Sequence, residues 1–415
     1  MLLSHPTGNQ NVREAAKALQ EKGLLGEFHT ALAACNHNIF SRLARMPGLR
    51  EVERRRCAPE LGPYLKFHPF RESARLLAGR LGMASLVRHE TGPFCVDAVF
   101  RNLDRSIARK LRSVAGCDAV YGYEDGALET FRAANELQIT CIYDLPIGYW
   151  RAARRIQSEE AERQPEWAGT MPALVDSAAK LERKDEELKR ADHIIVASSF
   201  TAGTLEEAPF PLPDVSVIPY GCPDPVDLRK PIPDASPGKS PGKLRVLFVG
   251  GLSQRKGLSY LLEAIEETQS IAELTLIGRR PAVSCKPLES ALQKFTYIES
   301  LPHAGILEQM ARHDVFVFPS LFEGFGLVLT EALSQGLPVI TTSHTCGPDL
   351  LTEGKEGFIV PIRDSRAIAE RLVELHHDPE RLAEMRLAAL RKAGQVTWAQ
   401  YRRQLGSTVS AIIGQ

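Results

Sequence analysis

Two glutamates flank a glycine-containing turn in the segment PSLFEGFGLVLTEA, and their spacing could bind an anion together with hydroxyl groups. Glu323 precedes the turn and Glu331 follows it, at most about 12 Å away along a helix that rises roughly 1.5 Å per residue. Gly324 and Gly326 let a ligand approach the backbone closely. A helix that begins near Gly326 directs unpaired N–H groups and the positive end of its dipole towards an anion. One carboxylate before this helix and one inside it could therefore hold hydroxyl-bearing groups on either side of a diphosphate.

Basic residues follow a second glycine-containing loop, in the segment VLFVGGLSQRKGL. Arg255 and Lys256 come near the end of this loop, and Arg279 comes at the end of the next predicted strand. Two cations matter at such a site because a departing diphosphate develops negative charge, which a metal ion would otherwise neutralise. The chain contains no Asp-x-Asp sequence. We therefore predict a site that works without a metal ion.

These residues come where predicted strands end. Short apolar runs alternate with helix-length segments, which is typical of parallel strands joined by helices that cover both faces of a sheet. The runs lie at residues 244–250, 273–278, 296–299, 314–319, 337–341 and 357–360 in the second half, and at 1–5, 118–123, 140–144, 193–197 and 215–219 in the first. Ligands of open parallel sheets bind beyond the carboxyl ends of the strands. We therefore predict an α/β protein in which two Rossmann-like domains share one cleft.

A proline-rich stretch separates the two series of strands. Residues 221–243 hold six prolines among 23 residues, a composition typical of a linker. We predict an N-terminal Rossmann-like domain at residues 1–220, this linker, a C-terminal Rossmann-like domain at residues 244–396 and a terminal segment at residues 397–415.

Composition narrows the class of protein. A chain of 415 residues exceeds what one hydrophobic core usually organises. Its 51 basic residues balance 51 acidic ones, so no overall charge favours nucleic acid as a partner. The eight cysteines form no CxxC pair and no Cys/His cluster, which indicates reduced, mostly buried thiols. The sequence shows no signal-peptide pattern and no apolar run of membrane-spanning length, so we expect a cytoplasmic protein that meets a membrane only from its surface.

The segment PSLFEGFGLVLTEALSQGLPVI, residues 319–340, resembles the donor-site signature of the retaining glycosyltransferases called family 4, or group 1. Enzymes of this family have the GT-B fold, in which two Rossmann-like domains face a central cleft. The resemblance implies that Glu323 contacts hydroxyls of the donor sugar and that Glu331 contacts the nucleotide ribose. It also implies that the donor phosphates face the intervening turn, which consists of Gly324, Phe325, Gly326 and Leu327.

The segment VLFVGGLSQRKGL is similar to the first strand and loop of the C-terminal domain in the same family. The similarity implies that Lys256 binds the donor diphosphate and acts in catalysis with Glu323. The family commonly carries an arginine where Gly251 stands, so a second cation must come from elsewhere, and Arg255 or Arg279 could supply it. For Arg255, an ordinary solvated side chain stays open as the alternative.

The N-terminal segment SHPTGNQNVRE loosely resembles the family's first glycine loop, which lies near the donor phosphate and the acceptor. Gly8 would permit close approach of the donor, and Asn9, Asn11 and Arg13 could bind phosphate or acceptor hydroxyls. A plain turn before a helix is the alternative. At the other end of the chain, the segment that begins at Thr397 resembles a C-terminal helix that crosses back to the N-terminal domain.

Acidic residues at two strand ends are the candidates for the acceptor side. Glu124 and Asp125 follow one predicted strand, and Asp144 ends another. Many relatives carry a histidine or an acidic residue at the position of Asp144, so we predict that it is a catalytic or positioning carboxylate. A helix cap or a turn anchor is the competing interpretation.

A basic segment lies between these groups. Residues 42–80 hold ten basic and four acidic residues. Such a patch on an otherwise neutral protein could contact anionic lipid head groups at the periphery of a membrane, or a pyrophosphate-bearing acceptor. A solvated helix face is the alternative.

The resemblance implies a metal-independent, retaining transfer of a hexose-type sugar from a nucleotide-diphosphate sugar to a glycan, lipid-linked or small-molecule acceptor. No cofactor is expected beyond that co-substrate. Two alternatives stay open: a non-catalytic sugar-nucleotide-binding subunit, which the glycine at position 251 favours, and another GT-B enzyme such as a sugar-nucleotide epimerase. The sequence leaves the base, the sugar, the acceptor and the oligomeric state open.

Overall fold

The computed structural model describes residues 1–35, 55–113, 116–226 and 242–414, which form two β-sheets. The strands of the first sheet are β1 (Leu2–Ser4), β2 (Glu27–Thr30), β3 (Leu65–Phe67), β4 (Ala119–Tyr123), β5 (Thr140–Leu145), β6 (His193–Val196) and β7 (Asp214–Val217). The strands of the second sheet are β8 (Leu244–Val249), β9 (Ala272–Ile277), β10 (Thr296–Ile298), β11 (Val315–Phe318), β12 (Val339–Thr342) and β13 (Gly357–Val360).

Both sheets are parallel throughout. The strand order is β3-β2-β1-β4-β5-β6-β7 in the first and β10-β9-β8-β11-β12-β13 in the second. The central strands are apolar without alternation because helices cover both faces; all four residues of β11, with the sequence VFVF, are buried. The two Rossmann-like domains predicted from the sequence are confirmed.

Helices connect successive strands and cover the sheets. In the N-terminal half they are α1 (Gln10–Glu21), α2 (Pro69–Arg80), α3 (Val96–Leu111), α4 (Leu128–Glu136), α5 (Trp150–Arg163), α6 (Ala178–Lys189) and α7 (Ser199–Thr204). In the C-terminal half they are α8 (Leu258–Glu267), α9 (Lys286–Lys294), α10 (His303–Arg312), α11 (Leu327–Ser334), α12 (Gly347–Leu350), α13 (Ser365–His377), α14 (Pro379–Gln395) and α15 (Trp398–Ile413). The loops that follow β1, β5, β8 and β11 lie where the two sheets face each other, and they carry the site described below.

The apolar runs locate eleven of the strands, with ends that shift by one or two residues. The run predicted at 337–341 begins as a strand only at Val339, since Pro338 lacks the N–H group that a central strand needs. The sequence did not predict β2 or β3. Both are short, and β2 (EFHT) carries a polar pair in which His29 Nε2 lies 2.7 Å from Glu27 Oε2, so an apolar run does not mark it.

The terminal helix α15 packs against α1 at the start of the chain. Arg402 donates hydrogen bonds to Glu14 (2.6 Å) and Glu21 (2.7 Å). A side chain at Gly406 would approach the carbonyl oxygen of Ala18 to 3.2 Å, so the glycine permits close packing of the two helices. The last helix therefore crosses from the C-terminal domain to the N-terminal one. Residues 227–241 of the predicted linker lie outside the described residues, and its bounds stay a prediction.

The cysteines are free thiols. None of the eight forms a disulfide, and all except Cys117 are buried. Burial raises the pKa of the Cys57 thiol to about 11 and that of Cys222 to about 12. These side chains therefore stay neutral and pack as small apolar groups.

Candidate active site

A cavity of about 500 Å³ lies between the two domains, at the carboxyl ends of β8 and β11. Both halves of the chain contribute to it, as expected for facing parallel sheets. From the N-terminal half the lining residues are Asn9, Asn11, Pro146 and Tyr220. From the C-terminal half they are Val249, Gly250, Gly251, Arg255, Lys256, Phe318, Glu323, Phe325, Gly326, Leu327, Val328 and Glu331.

Helix α11 begins at the wall of this cavity. Its N-cap residue, Gly326, has φ +89°, a left-handed conformation that favours glycine. The next two residues, Leu327 and Val328, line the cavity, so the first turn of the helix opens onto it. The amide of Leu329 donates a 2.8 Å hydrogen bond to the carbonyl of Gly326, whereas the amides that precede it have no acceptor within the helix and, together with the helix dipole, could bind an anion.

Two cations and a carboxylate meet beside this helix. Lys256 forms an ion pair with Glu323, and Arg255 Nη1 lies 3.4 Å from Glu323 Oε2 while donating a 2.6 Å hydrogen bond to the carbonyl of Phe322. Lys256 Nζ also lies 4.6 Å from the centre of the Phe318 ring. Two positive groups thus share one carboxylate.

Burial acts on both cations of this cluster. It lowers the pKa of the Arg255 guanidinium to about 10. It also lowers the pKa of the Lys256 ammonium well below its usual range, and the charge of Arg255 adds to this effect. An anion placed between the two would stabilise their charged forms.

Glu331 has a partner that the sequence did not predict. Its carboxylate lies 3.0 Å from Nε2 of His303, and this hydrogen bond raises the pKa of His303. The two residues stand 28 positions apart, on α10 and α11, so no local pattern joins them.

The close approach at Gly324 is made by the other domain, which corrects the prediction that this glycine admits a ligand. A Cβ atom at Gly324 would lie 1.9 Å from the carbonyl oxygen of Pro146. The carbonyl of Gly324 accepts hydrogen bonds from Ser198 (2.5 Å) and Thr201 (2.8 Å) of the N-terminal domain. Gly324 is not among the residues that line the cavity. The residue is glycine because two backbones meet there.

Of the two candidates for a second cation, the structure brings only Arg255 into the cavity. Arg279 is exposed and is not among the lining residues, although its carbonyl accepts a 3.0 Å hydrogen bond from Leu252. Gly251 does line the cavity, and a Cβ atom at that position would meet nothing within 4 Å. Arg255 is therefore the candidate that lies beside Lys256 in the cavity, and space for a larger side chain remains at position 251.

The N-terminal loop contributes two of its four predicted residues. Asn9 and Asn11 line the cavity, and Asn11 Nδ2 donates a 3.1 Å hydrogen bond to the hydroxyl of Tyr220. Gly8 and Arg13 support the loop instead, since Arg13 Nη1 donates a 2.6 Å hydrogen bond to the carbonyl of Gly8. Gly8 itself is buried, with φ +54°.

His5 anchors the same loop as a neutral ring. Its Nδ1 accepts hydrogen bonds from the backbone amides of Thr7 (3.2 Å) and Gly8 (3.1 Å). Burial, with a contribution from the charge of Arg55, lowers the pKa of His5 to about 3. The geometry therefore gives this histidine a structural role.

Glu124 and Asp125 line neither this cavity nor the second cavity described below, contrary to their predicted role on the acceptor side. Glu124 Oε1 lies 3.3 Å from Lys184 Nζ, and Asp125 accepts a 2.8 Å hydrogen bond from Arg183. Both cations belong to α6. The two carboxylates are therefore bound by neighbouring cations of their own domain.

Asp144 also stands apart from the cavity, which corrects its prediction as an acceptor-side carboxylate. It is 3% exposed and accepts a 2.7 Å hydrogen bond from the hydroxyl of Tyr121. In the register of β4 and β5 it lies opposite Tyr123. Its side chain thus points into an aromatic core, and burial raises its pKa to about 7.

A second cavity of about 410 Å³ adjoins the first. Arg255 lines both, and Phe322 lines the second. The remaining lining residues belong to the N-terminal half: His89, Ile147, Gly148, Trp150, Ala153, Gln157, Pro172, Ala173, Val175, Asp176, Lys180, Leu181 and Lys184. The cavity therefore combines an apolar wall with a charged end.

The predicted basic surface is only partly described. Residues 42–54 lie outside the described residues. Arg55 is buried and forms an ion pair with Glu72, which also accepts a 2.7 Å hydrogen bond from Arg75. These two arginines neutralise a buried carboxylate; Arg55 is held inside the fold, whereas Arg75 is partly exposed.

Part of the C-terminal half of the chain matches a known family. Residues 243–378 match the model of a family described as Glycosyl transferases group 1, which confirms the resemblance found in the sequence. WcaL of Escherichia coli K12, named for colanic acid biosynthesis, is 30% identical over 203 residues, which are 44% of this chain and 47% of WcaL. A phosphatidyl-myo-inositol mannosyltransferase of Mycobacterium leprae is 32% identical over 136 residues, 31% of this chain and 36% of that protein. The aligned part spans less than half of either relative.

Solved structures share the fold over the whole chain. Sucrose-phosphate synthase from Thermosynechococcus elongatus superposes with a TM-score of 0.66 at 17% identity, covering 100% of this chain and 98% of that one. HepE of Anabaena, solved in complex with UDP and glucose, gives a TM-score of 0.61 at 17% identity, with coverage of 99% and 98%. These likenesses confirm the GT-B fold.

Replacing Asp144 with asparagine should reduce the loss of stability as the pH rises. The pKa of Asp144 is about 7 in the folded protein against an ordinary value of 3.8, so between these values the folded state keeps a proton that the unfolded state has lost. The stabilisation from this retained proton is complete below the pKa of Asp144 in the unfolded state, and it is lost as the pH rises through the pKa in the folded state. The loss is about 1.4 kcal/mol for each unit of difference between the two pKa values. Urea denaturation of both proteins between about pH 5 and pH 8 measures the effect. As the pH rises, the free energy of unfolding of the wild type should fall by a few kcal/mol relative to that of Asp144→Asn. Parallel pH profiles would contradict this assignment.

Proposed function

We propose that this chain, whose C-terminal domain matches the group 1 glycosyl transferases, transfers a sugar from a nucleoside-diphosphate sugar to an acceptor. One observation carries the proposal: Arg255, Lys256 and the N-terminus of α11 converge on the cavity between the domains, next to Glu323. A diphosphate would pair with the two cations and accept hydrogen bonds from the first turn of the helix. Glu323 would then be released to bind sugar hydroxyls, and Glu331 would bind the ribose.

The reaction needs no protein nucleophile. The bond between the anomeric carbon and the diphosphate oxygen breaks, and the acceptor oxygen bonds to that carbon on the same face. The hydroxyl proton of the acceptor passes to the leaving diphosphate. Lys256, Arg255 and the helix dipole stabilise the charge that develops on the leaving group. Retention of configuration follows from the family resemblance, and the coupling constant of the anomeric proton in the NMR spectrum of the product tests it.

The same cations support a mechanism without a metal ion. The two carboxylates of the cavity, Glu323 and Glu331, lie against Lys256 and His303. Leaving-group charge can be neutralised by Lys256 and Arg255, and we expect no cofactor besides the donor. Arg255 also weakens the case for a non-catalytic subunit, which rested on the glycine at position 251. Hydrolysis of the donor in the absence of an acceptor would separate an enzyme from a subunit that only binds it.

Lys256→Ala should weaken binding of the nucleoside diphosphate about tenfold or more, since the loss of a charged hydrogen bond costs roughly 1.5–3 kcal/mol. Arg279→Ala is the matched control, because it removes an exposed cation outside the cavity, and its affinity should stay near that of the wild type. Calorimetric titration with UDP and with GDP, both in EDTA, measures the effect. Equal affinity of Lys256→Ala and the wild type would refute the site, and binding that requires added Mg²⁺ would refute metal independence.

We place the acceptor in the second cavity, because it meets the donor cavity at Arg255. Its apolar wall includes Trp150, and its charged end includes Asp176, 3.1 Å from Lys180. An aromatic ring beside a few placed polar groups suits a saccharide, whose C–H faces contact the ring while its hydroxyls bind the charged groups. An acceptor held there would direct a hydroxyl towards Arg255 and Glu323.

Trp150→Ala should abolish binding of the acceptor saccharide and leave donor affinity unchanged. Saturation-transfer NMR against a panel of methyl glycosides identifies the sugars that the wild type binds, and the variant is tested on those. Unchanged titration with UDP or GDP serves as the control for folding. If the variant retains the saccharide signals of the wild type, the acceptor lies elsewhere.

We also propose contact with an anionic membrane surface, which would give access to a lipid-linked acceptor. Phe70 (76% exposed), Leu77 (59%) and Leu81 (60%) lie at i, i+7 and i+11, on one face of α2 and its C-cap. The exposed Arg80 and Arg88 are close to this face in sequence, and such a pattern suits a bilayer interface. Within the described parts of the chain, no helix has the length and apolar character to span a bilayer.

The double variant Phe70→Ser/Leu77→Ser should lose co-sedimentation with vesicles that contain phosphatidylglycerol, because it removes the apolar part of this face. Leu387→Ser, which changes an exposed leucine (45%) on α14, is the control and should sediment like the wild type. Failure of the wild type to sediment with such vesicles, or equal sedimentation of all three proteins, would contradict the membrane contact.

A further inference from the structure

Glu160 is a buried carboxylate of the N-terminal domain, and the hydrogen bonds described for its side chain all come from the C-terminal domain. It lies on α5 and is 0% exposed. Its Oε1 accepts hydrogen bonds from Gln254 Nε2 (2.7 Å) and the hydroxyl of Tyr260 (2.9 Å). Its Oε2 accepts one from Arg363 Nε at 2.7 Å. A buried charge is stable only when it is paired and hydrogen-bonded in this way.

The bond to Gln254 leads directly to the phosphate-binding cations. Residues Gln254–Lys256 form a single 3₁₀ turn, so Gln254 immediately precedes Arg255 and Lys256. Gln254 is itself 0% exposed, and its backbone amide donates a 2.9 Å hydrogen bond to the hydroxyl of Thr170 in the N-terminal domain. The turn that carries both cations is therefore attached to the opposite domain through its first residue.

The other side of the same turn is fixed within the C-terminal domain. The amide of Leu321 donates a 2.9 Å hydrogen bond to the carbonyl of Arg255, and the hydroxyl of Ser320 lies 3.2 Å from that oxygen. Ser259 donates its amide to Gln254 Oε1 at 2.9 Å. The position of the cations thus depends on contacts with both domains.

Arg363 contacts α5 from an unfavourable backbone conformation. It has φ +63°, a left-handed conformation that residues other than glycine rarely adopt. Its guanidinium nevertheless makes three contacts with α5: Glu160 Oε2, Glu159 Oε2 (3.1 Å) and the carbonyl of Ile156 (3.1 Å). The surrounding structure holds this arginine on α5 at the expense of its preferred backbone conformation.

We propose that Glu160 is a positioning residue, which couples closure of the two domains to the placement of Arg255 and Lys256 against the donor diphosphate. This inference rests on the proposed function. When the domains are together, Glu160 and Thr170 hold Gln254, and the two cations face the cavity. When they separate, the turn loses both of these contacts. Donor affinity is then highest in the closed arrangement, although Glu160 never touches the donor.

Glu160→Gln tests this role with little change in shape. The new glutamine replaces one carboxylate oxygen, which accepts hydrogen bonds, with an –NH₂ group, which donates them. In either orientation of the amide, this –NH₂ group faces another donor, Gln254 Nε2 or Arg363 Nε, so one hydrogen bond is lost. Glu159→Gln is the matched control, because Glu159 is a neighbouring carboxylate on α5 that also binds Arg363 but makes no contact with Gln254 among the described hydrogen bonds. Gln254→Ala removes the same link from the other side.

The measurement is the dissociation constant for UDP and for GDP by calorimetry. We compare affinities for whichever of the two nucleoside diphosphates the wild type binds more tightly. We expect Glu160→Gln to weaken this binding about tenfold or more, and Glu159→Gln to change the affinity by less than about twofold. The double variant Glu160→Gln/Gln254→Ala should bind no more weakly than the weaker single variant, since both changes break one link. A general loss of stability would instead make the two effects add.

The outcomes are distinguishable. If the wild type binds a nucleoside diphosphate and the two glutamate variants bind it equally well, the positioning role is wrong while the proposed function stands. If the effects of Glu160→Gln and Gln254→Ala add, the role is also wrong. If Glu160→Gln does not fold, the comparison of Gln254→Ala with Glu159→Gln decides, and equal affinities refute the role. A wild type that binds neither UDP nor GDP refutes the proposed function and this inference together.

Discussion

The structure depends on two largely buried cations that lie beside a single carboxylate. Arg255 and Lys256 lie against Glu323 at the N-terminus of a helix, and burial lowers the pKa of both basic groups. Withdrawing charge from water is unfavourable unless a counter-charge approaches. Glu323 supplies one counter-charge to both groups. In the proposed function a diphosphate would supply a second, and the helix dipole would act in the same direction.

The same loop that carries this chemistry also joins the domains. Gly324 lies between Glu323 and the start of α11, and its backbone meets that of Pro146 so closely that no side chain fits. On the other wall, Gln254 is bound by Glu160 and Thr170. Both elements of the proposed anion site are thus anchored across the interface. Separation of the domains would disturb the proposed donor site even if each domain stayed folded.

The sequence predicted the parts of the site that are local in the chain. The turn from Glu323 to Leu327 and the pair Arg255–Lys256 could be located because strand, loop and helix follow one another within a few residues. It also predicted most strands, since a buried parallel strand reads as an apolar run. The strands β2 and β3 were not predicted because they are short and carry polar side chains.

What the sequence did not predict depends on partners far away in the chain. Asp144 is the next-to-last residue of β5, near the strand end where a catalytic carboxylate was expected, but its side chain packs among the tyrosines of β4. Glu124 and Asp125 are bound by α6, and His303 reaches Glu331 from another helix. A position at the end of a strand indicates the edge of the sheet, whereas the direction of the side chain is decided by packing. A crystal structure of the protein with a nucleoside-diphosphate sugar, grown in EDTA, tests the central claim most directly. We predict a diphosphate in contact with Lys256, Arg255 and the first turn of α11; a diphosphate bound elsewhere, or bound only when a metal ion is added, would contradict it.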